Sequence, residues 1–179
     1  QLNNDLIQVD GRDFLEIDGK KTFVSSKNYL SIKFPFDDAA YYRTAIANGV
    51  WGEWAVYTET TEVLTGLGEG ITEVKVQAKD SHNVLSDIYS IRILIDSTPP
   101  TIHSIKTLNN ATAGRGTINI TVNASDKHCD KLEYNVGSGW KELNGNISVP
   151  LNNGLNDINV QVRDYAHNTA SKAISVWGL

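Results

Sequence analysis

Two stretches of the chain read alike. One is Gly70-Ile-Thr-Glu-Val-Lys-Val-Gln-Ala-Lys-Asp80-Ser-His-Asn83. The other is Gly154-Leu-Asn-Asp-Ile-Asn-Val-Gln-Val-Arg-Asp164-Tyr-Ala-His-Asn168. From Gly to Asp the offset is 84 residues, after which the second copy reads as holding one extra residue before its His-Asn. Inside each stretch the period is 2. Val74, Val76 and Ala78 alternate with Glu73, Lys75, Gln77 and Lys79; Ile158, Val160 and Val162 alternate with Asp157, Asn159, Gln161 and Arg163. A strand points successive side chains to opposite faces, so each stretch lays one face on a core and the other in water.

Working outward, the likeness extends upstream. Leu30, Ile32, Phe34, Phe36 and Asp38 match Ile118, Ile120, Val122, Ala124 and Asp126, and Tyr42…Trp51 matches Tyr134…Trp140. Further strands are expected over 30–36, 41–45, 62–67, 89–96, 117–124, 131–136, 147–151 and 172–177. Between them lie turn signals such as Asn48-Gly49, Gly137-Ser-Gly139, Asn144-Gly145 and Asn152-Asn-Gly154. No long window holds a helical stripe. Short strands at this spacing predict an all-β fold of two antiparallel β-sandwiches, one over residues 1–98 and one over 99–179. Pro99-Pro100 between them fixes φ and removes two ladder donors, so the joint is expected to be stiff and the pair to stack end to end.

Composition narrows the function. The chain has 179 residues, and 40% are hydrophobic, enough for packed cores. The net charge of −5 argues against nucleic acid as a partner, which wants a basic face. Residues 1–98 hold 15 acidic and 9 basic side chains, whereas 99–179 hold 6 and 7. No apolar run is long enough to span a bilayer. The single Cys129 cannot form an internal disulfide. The chain contains no Met and opens on Gln1, which reads as a processed secreted protein or an excised fragment. No nucleophile elbow, zinc-protease helix or phosphate loop is present, so no catalytic residue is assigned.

The segments Trp51-Gly-Glu-Trp54-Ala-Val-Tyr57, Gly68-Glu-Gly70, Asp80-Ser-His-Asn83 and Asp96-Ser-Thr-Pro-Pro100 resemble the tandem immunoglobulin-like domains of bacterial and archaeal cell-surface proteins. The second copy keeps Gly139-Trp140, Gly154 and Asp164…Asn168, with Leu143 where Trp54 stands. The resemblance implies immunoglobulin-like, fibronectin-III-like sandwiches. It also implies a secreted or surface location in a prokaryote, and a role as stalk, adhesin repeat, surface-layer piece or accessory module of a polysaccharide-degrading enzyme. Where the family has Gly before the turn Asn, this chain has His82 and His167, and His is among the residues that tolerate positive φ.

Four sets of residues are candidates for function. Asp37, Asp38, Asp80, Asp96, Asp126 and Asp164 stand at strand ends and supply the oxygens that calcium prefers, and the resemblance adds calcium at domain junctions; the plain alternative is that each caps a turn. Asn110, Asn119, Asn123 and Asn146 begin Asn-x-Ser/Thr motifs for N-glycosylation, with Asn119 and Asn123 on one outer strand face. Trp54 and Tyr57 are candidates for stacking on glycans, whereas Trp51 and Trp140, recurring at equivalent positions, read as core. Within an extended tail over 1–10, Leu6, Ile7 and Val9 form an apolar stretch that could add a strand to a neighbour. The expected partners are other copies of the chain or neighbouring immunoglobulin-like domains, together with glycans. The expected function is a non-enzymatic extracellular structural or adhesive module, a stiff spacer or self-assembling subunit of a surface layer, fibre or adhesin. The alternative is a carbohydrate-binding accessory module of a larger secreted polysaccharide-degrading enzyme.

Overall fold

A computed structural model describes residues 1–3, 6–10, 12, 14–58, 62–64, 66–128 and 131–179; Cys129 lies outside the described residues. The chain divides into two compact units, Gln1–Ser97 and Thr98–Leu179. Among the described residues there is no α-helix. Each unit has its own hydrophobic core.

The first unit contains β1 (Gln8–Val9), β2 (Leu15–Ile17), β3 (Lys20–Ser25), β4 (Leu30–Lys33), β5 (Tyr41–Ile46), β6 (Ala55–Val56), β7 (Glu62–Leu64), β8 (Gly70–Lys79) and β9 (Tyr89–Ile95). They form a three-stranded sheet, β1-β4-β7, and a six-stranded sheet, β2-β3-β9-β8-β5-β6. The second unit contains β10 (Thr101–Thr107), β11 (Ala113–Gly114), β12 (Thr117–Ser125), β13 (Glu133–Asn135), β14 (Lys141–Glu142), β15 (Asn146–Pro150), β16 (Gly154–Arg163) and β17 (Thr169–Gly178). Here the sheets are β10-β12-β15 and β11-β17-β16-β13-β14.

The two repeated stretches are β8 and β16, each the spine of its larger sheet. β8 pairs antiparallel with β5 from Tyr41↔Lys79 to Ile46↔Val74, and with β9 from Gly70↔Ile95 to Val76↔Tyr89. β16 pairs with β17 over ten positions, from Gly154↔Gly178 to Arg163↔Thr169. The alternation is realised on the core face, where Val74, Val76, Val160 and Val162 are fully buried; on the other face of β8 it fails at Gln77, which is 7% exposed and bonds Arg43 and Ser86 O. Each stretch opens on glycine because the backbone there is left-handed, with φ +98° at Gly70 and +95° at Gly154.

The loops that follow correct the sequence alignment. Asp80 N–H donates to Val84 O and Asn83 N–H to Asp80 O; Asp164 N–H donates to Asn168 O and His167 N–H to Asp164 O. The turns are therefore the same length, and the offset of 84 continues through them without an insertion. His82 and His167 are not equivalent. The left-handed position falls on Asn83 (φ 62°) in one unit and on His167 (φ 65°) in the other. Matching His-Asn by identity misplaced the register, because the turn is set by its hydrogen bonds and not by the identity of its residues.

Besides the short β1, β2, β6, β11 and β14, two longer strands escaped the sequence reading. β3 is buried on both faces, with Thr22, Phe23, Val24 and Ser25 all under 6% exposed, and it runs parallel to β9. Its sequence therefore lacks alternation. In β10 the register shifts between Ile102 and Ser104, so Ile102 and Ile105 are three apart, and that bulge hides the period.

The tail is not free. β1 pairs with β4 through Gln8↔Lys33 and Val9↔Ile32, and Leu2, Ile7 and Val9 belong to the first core. Asp10 fastens this edge by accepting from Ser25 Oγ (2.6 Å) and Ser31 N–H (3.0 Å). The expectation of an assembly strand built from Leu6, Ile7 and Val9 is thus corrected. Ile7 and Val9 complete their own sandwich, since burying them there costs no intermolecular entropy, and Leu6 alone of the three is exposed, at 57%. Truncating Ile7→Ala is expected to cost about 2–5 kcal/mol in urea unfolding, while Leu6→Ala stays within about 0.5 kcal/mol. Equal, small effects at both positions would return the tail to the status of a loose end.

Candidate functional site

The acidic strand ends sort into distinct arrangements. Asp37, Asp38 and Asp80 line one hollow of about 210 Å³ in the first unit, together with Gln1 and Lys79. Asp80 is committed to its turn. Its Oδ1 accepts from His82 N–H at 2.8 Å and Val84 N–H at 2.9 Å. Above all the Val84 N–H holds its carboxyl below the ordinary range, outweighing some loss of water. Asp96 is buried and follows β9, where its N–H donates to Ser25 O. One of its carboxylate oxygens lies within 4.8 Å of one from Glu69. Glu69 Oε1 in turn accepts from the N–H of Ser97 (3.0 Å) and from its hydroxyl.

In the second unit Asp126 and Asp164 bring carboxylate oxygens within 4.8 Å of each other. Asp164 is 1% exposed, and it accepts from Asn168 N–H (3.0 Å) and Nδ2 (2.8 Å). Burial nevertheless pushes its carboxyl above the ordinary range, and the Asp126 charge adds to the push. Asp126 Oδ1 accepts from His128 N–H at 2.8 Å, while its buried Oδ2 has no hydrogen-bond partner among the described residues. Equivalent aspartates thus titrate in opposite directions, because Asp80 faces water and Asp164 does not.

The aromatic candidates are engaged within the fold. The Trp54 ring has the Arg43 guanidinium and the Lys79 ammonium each 4.6 Å from its centre, and Arg43 lies equally close to Trp51. Arg43 is held by two hydrogen bonds to Gln77 Oε1, at 2.7 and 3.2 Å. The second unit repeats the device more simply. Arg163 sits 4.2 Å over Trp140 and donates to Glu133 Oε1 at 3.1 Å. Trp51 and Trp140 are therefore not core residues, as their recurrence had implied. Both are half-buried and belong to neither core cluster. What recurs is a cation on the outward side of β5, β8 or β16 that needs a ring to lie on. The available signal was the basic residue before each turn aspartate, Lys79 and Arg163.

Tyr57 is corrected as a ligand-facing ring. It packs edge-on against Phe36 and Tyr42, donates its hydroxyl to Phe34 O (2.7 Å) and accepts from Phe36 N–H (2.9 Å). The glycosylation candidates Asn110, Asn119, Asn123 and Asn146 are all exposed.

Comparison with known proteins turns on the fold. No family model matches the chain, and no curated protein does. Among solved structures, fibronectin(III)-like modules of Clostridium thermocellum CbhA superpose with a TM-score of 0.61, covering 97% of this chain and 95% of that one at 15% identity. The fold is that of tandem fibronectin-III-like sandwiches. Domains FN1–FN3 of chicken CNTN1 give a TM-score of 0.49 over 87% of this chain and 62% of that one, at 15% identity. A C-terminal fragment of intimin gives 0.46 over 99% and 64%, at 14% identity. No helix among the described residues is long and apolar enough to cross a membrane.

The two fibronectin-III-like units carry an internal control. Asp80, lowered in the fold, stabilises above its unfolded pKa and loses that contribution as pH falls. Asp164, raised in the fold, favours stability at low pH, and the advantage is lost as pH rises through its folded pKa. Carboxyl-carbon NMR titration should place Asp80 below and Asp164 above the free aspartate value, and Asp126→Asn should move Asp164 down. Coincident titrations would refute the environments described.

Proposed function

We propose that this chain is a non-enzymatic extracellular module of a prokaryotic cell surface, a stiff spacer or self-assembling subunit of a layer, fibre or adhesin. The observation that carries the reading is where its chemistry is spent. The rings that would stack on sugar lie under Arg43, Lys79 and Arg163, Tyr57 pins Phe34 and Phe36, and both turn aspartates close their own hairpins. Such internal fastening supports a module that holds its shape under load. The rival reading, an accessory module of a larger secreted polysaccharide-degrading enzyme, draws on Trp54, whose ring is half-exposed.

Two measurements separate these readings. Pulled by single-molecule force spectroscopy, the chain should give two separate unfolding events. Each would release about 3.3–3.6 Å of contour per residue over one of the units 1–97 and 98–179. Affinity electrophoresis in soluble polysaccharides should show no retardation. Retardation abolished by Trp54→Ala in a still-folded chain would transfer the function to the accessory-module reading.

Calcium belongs to the proposal through its donor set. The Asp126–Asp164 oxygens, one of them buried without a partner among the described residues, suit a hard cation. Calcium is expected to raise the melting temperature relative to chelator, and Asp126→Asn to abolish the rise. An unchanged midpoint removes the ion and leaves the mechanical role.

A further inference from the structure

Asparagine is a poor strand residue, yet β12, the central strand of β10-β12-β15, carries Asn119 and Asn123 mid-strand. Two asparagines of this unit use their side chains on the backbone. Asn135 Oδ1 accepts from Gly137 N–H, and Asn156 bonds Asn152 and Gly154. Asn119 and Asn123 do neither. Both are exposed, and among the described residues neither side chain makes a hydrogen bond. What sets Asn119 and Asn123 apart from Asn159, which is also exposed mid-strand in β16, is the hydroxyl residue two positions on.

Their surroundings add to this. Positions i and i+2 of a strand share a face, so each asparagine presents beside it the hydroxyl that completes its motif: Thr121 for Asn119 and Ser125 for Asn123. Cross-strand partners extend the same chemistry. Asn119 faces Ser148, Asn123 faces Ser104, and Thr121 faces Asn146, to whose Oδ1 it donates at 3.0 Å. No carboxylate stands on this face at the paired positions. The asparagines are four residues apart, about 13–14 Å along the strand, far enough for two glycans to stand side by side.

We propose that the outer face of β10-β12-β15 is N-glycosylated, with Asn119 and Asn123 as the attachment sites. In the transfer, Asn Nδ2 forms a bond to the anomeric C1 of a lipid-linked oligosaccharide. The C1–O bond to the lipid phosphate breaks, the phosphate leaves with the bonding pair, and an amide proton goes to base. Because β12 is paired on both sides, transfer precedes strand pairing. In the folded unit the sugars cover one whole sheet face and direct contacts to the other.

The inference rests on the extracellular reading, and the test keeps the two apart. The chain is recovered from its source cells after fractionation, and its peptides are mapped by mass spectrometry. Hexose-bearing peptides at Asn119 and Asn123 are expected, with Thr121→Ala removing the first alone and Ser125→Ala the second alone. A surface-located chain bare at both asparagines overturns the glycan face and leaves the location standing. Modification confined to Asn110 or Asn146 overturns it equally. An unmodified chain confined to the cytoplasm overturns both readings.

Discussion

Everything in each unit hangs on one strand and the aspartate that ends it. β8 and β16 hydrogen-bond on both sides, bury a valine ladder on one face and end at Asp80 and Asp164, whose carboxylates take the N–H groups of the following turn. At the buried Asp164 an unmet N–H donor would cost about 1–3 kcal/mol, whereas at the exposed turn of Asp80 water competes for the same donors. The aspartate meets that demand and sets the length of the turn, and so fixes which residue of β9 or β17 returns opposite which residue of the spine. The register of the larger sheet follows from it.

From that spine the outer face acquires its order. Residues alternating with the valines lie on the outer side of the sheet, and the chain fills them with Lys79 and Arg163, both partly exposed, and with Gln77, which Arg43 covers. A long cation at a sheet surface is best held over an aromatic face, and Trp54 and Trp140 provide it. The same rings that invite comparison with a sugar platform are thereby partners of the fold. The acidic ends behave differently again. Asp80 and Asp164 share a position and a turn, yet desolvation and the neighbouring Asp126 separate their titrations.

Much of this was legible from residues alone. Period-2 alternation in two copies located β8 and β16, and their flanking turns implied a sandwich for each copy. The tail, β3 and β10 were not legible, for separate reasons. A strand buried on both faces has no alternation to read, a bulge moves alternation out of phase, and an apolar tail does not disclose whose sheet it joins.

The sequence by itself determined the duplication, the all-β class and the outward placement of Asn119 and Asn123, because strand periodicity is a local property of the chain. Only the tertiary structure decided that Ile7 and Val9 close their own core, that Trp51 and Trp140 lie under arginines, and that His82 and His167 are not equivalent. Each of these depends on which distant partner a side chain or backbone group meets. That choice is made by packing and hydrogen-bond geometry across many residues, and no local pattern encodes it.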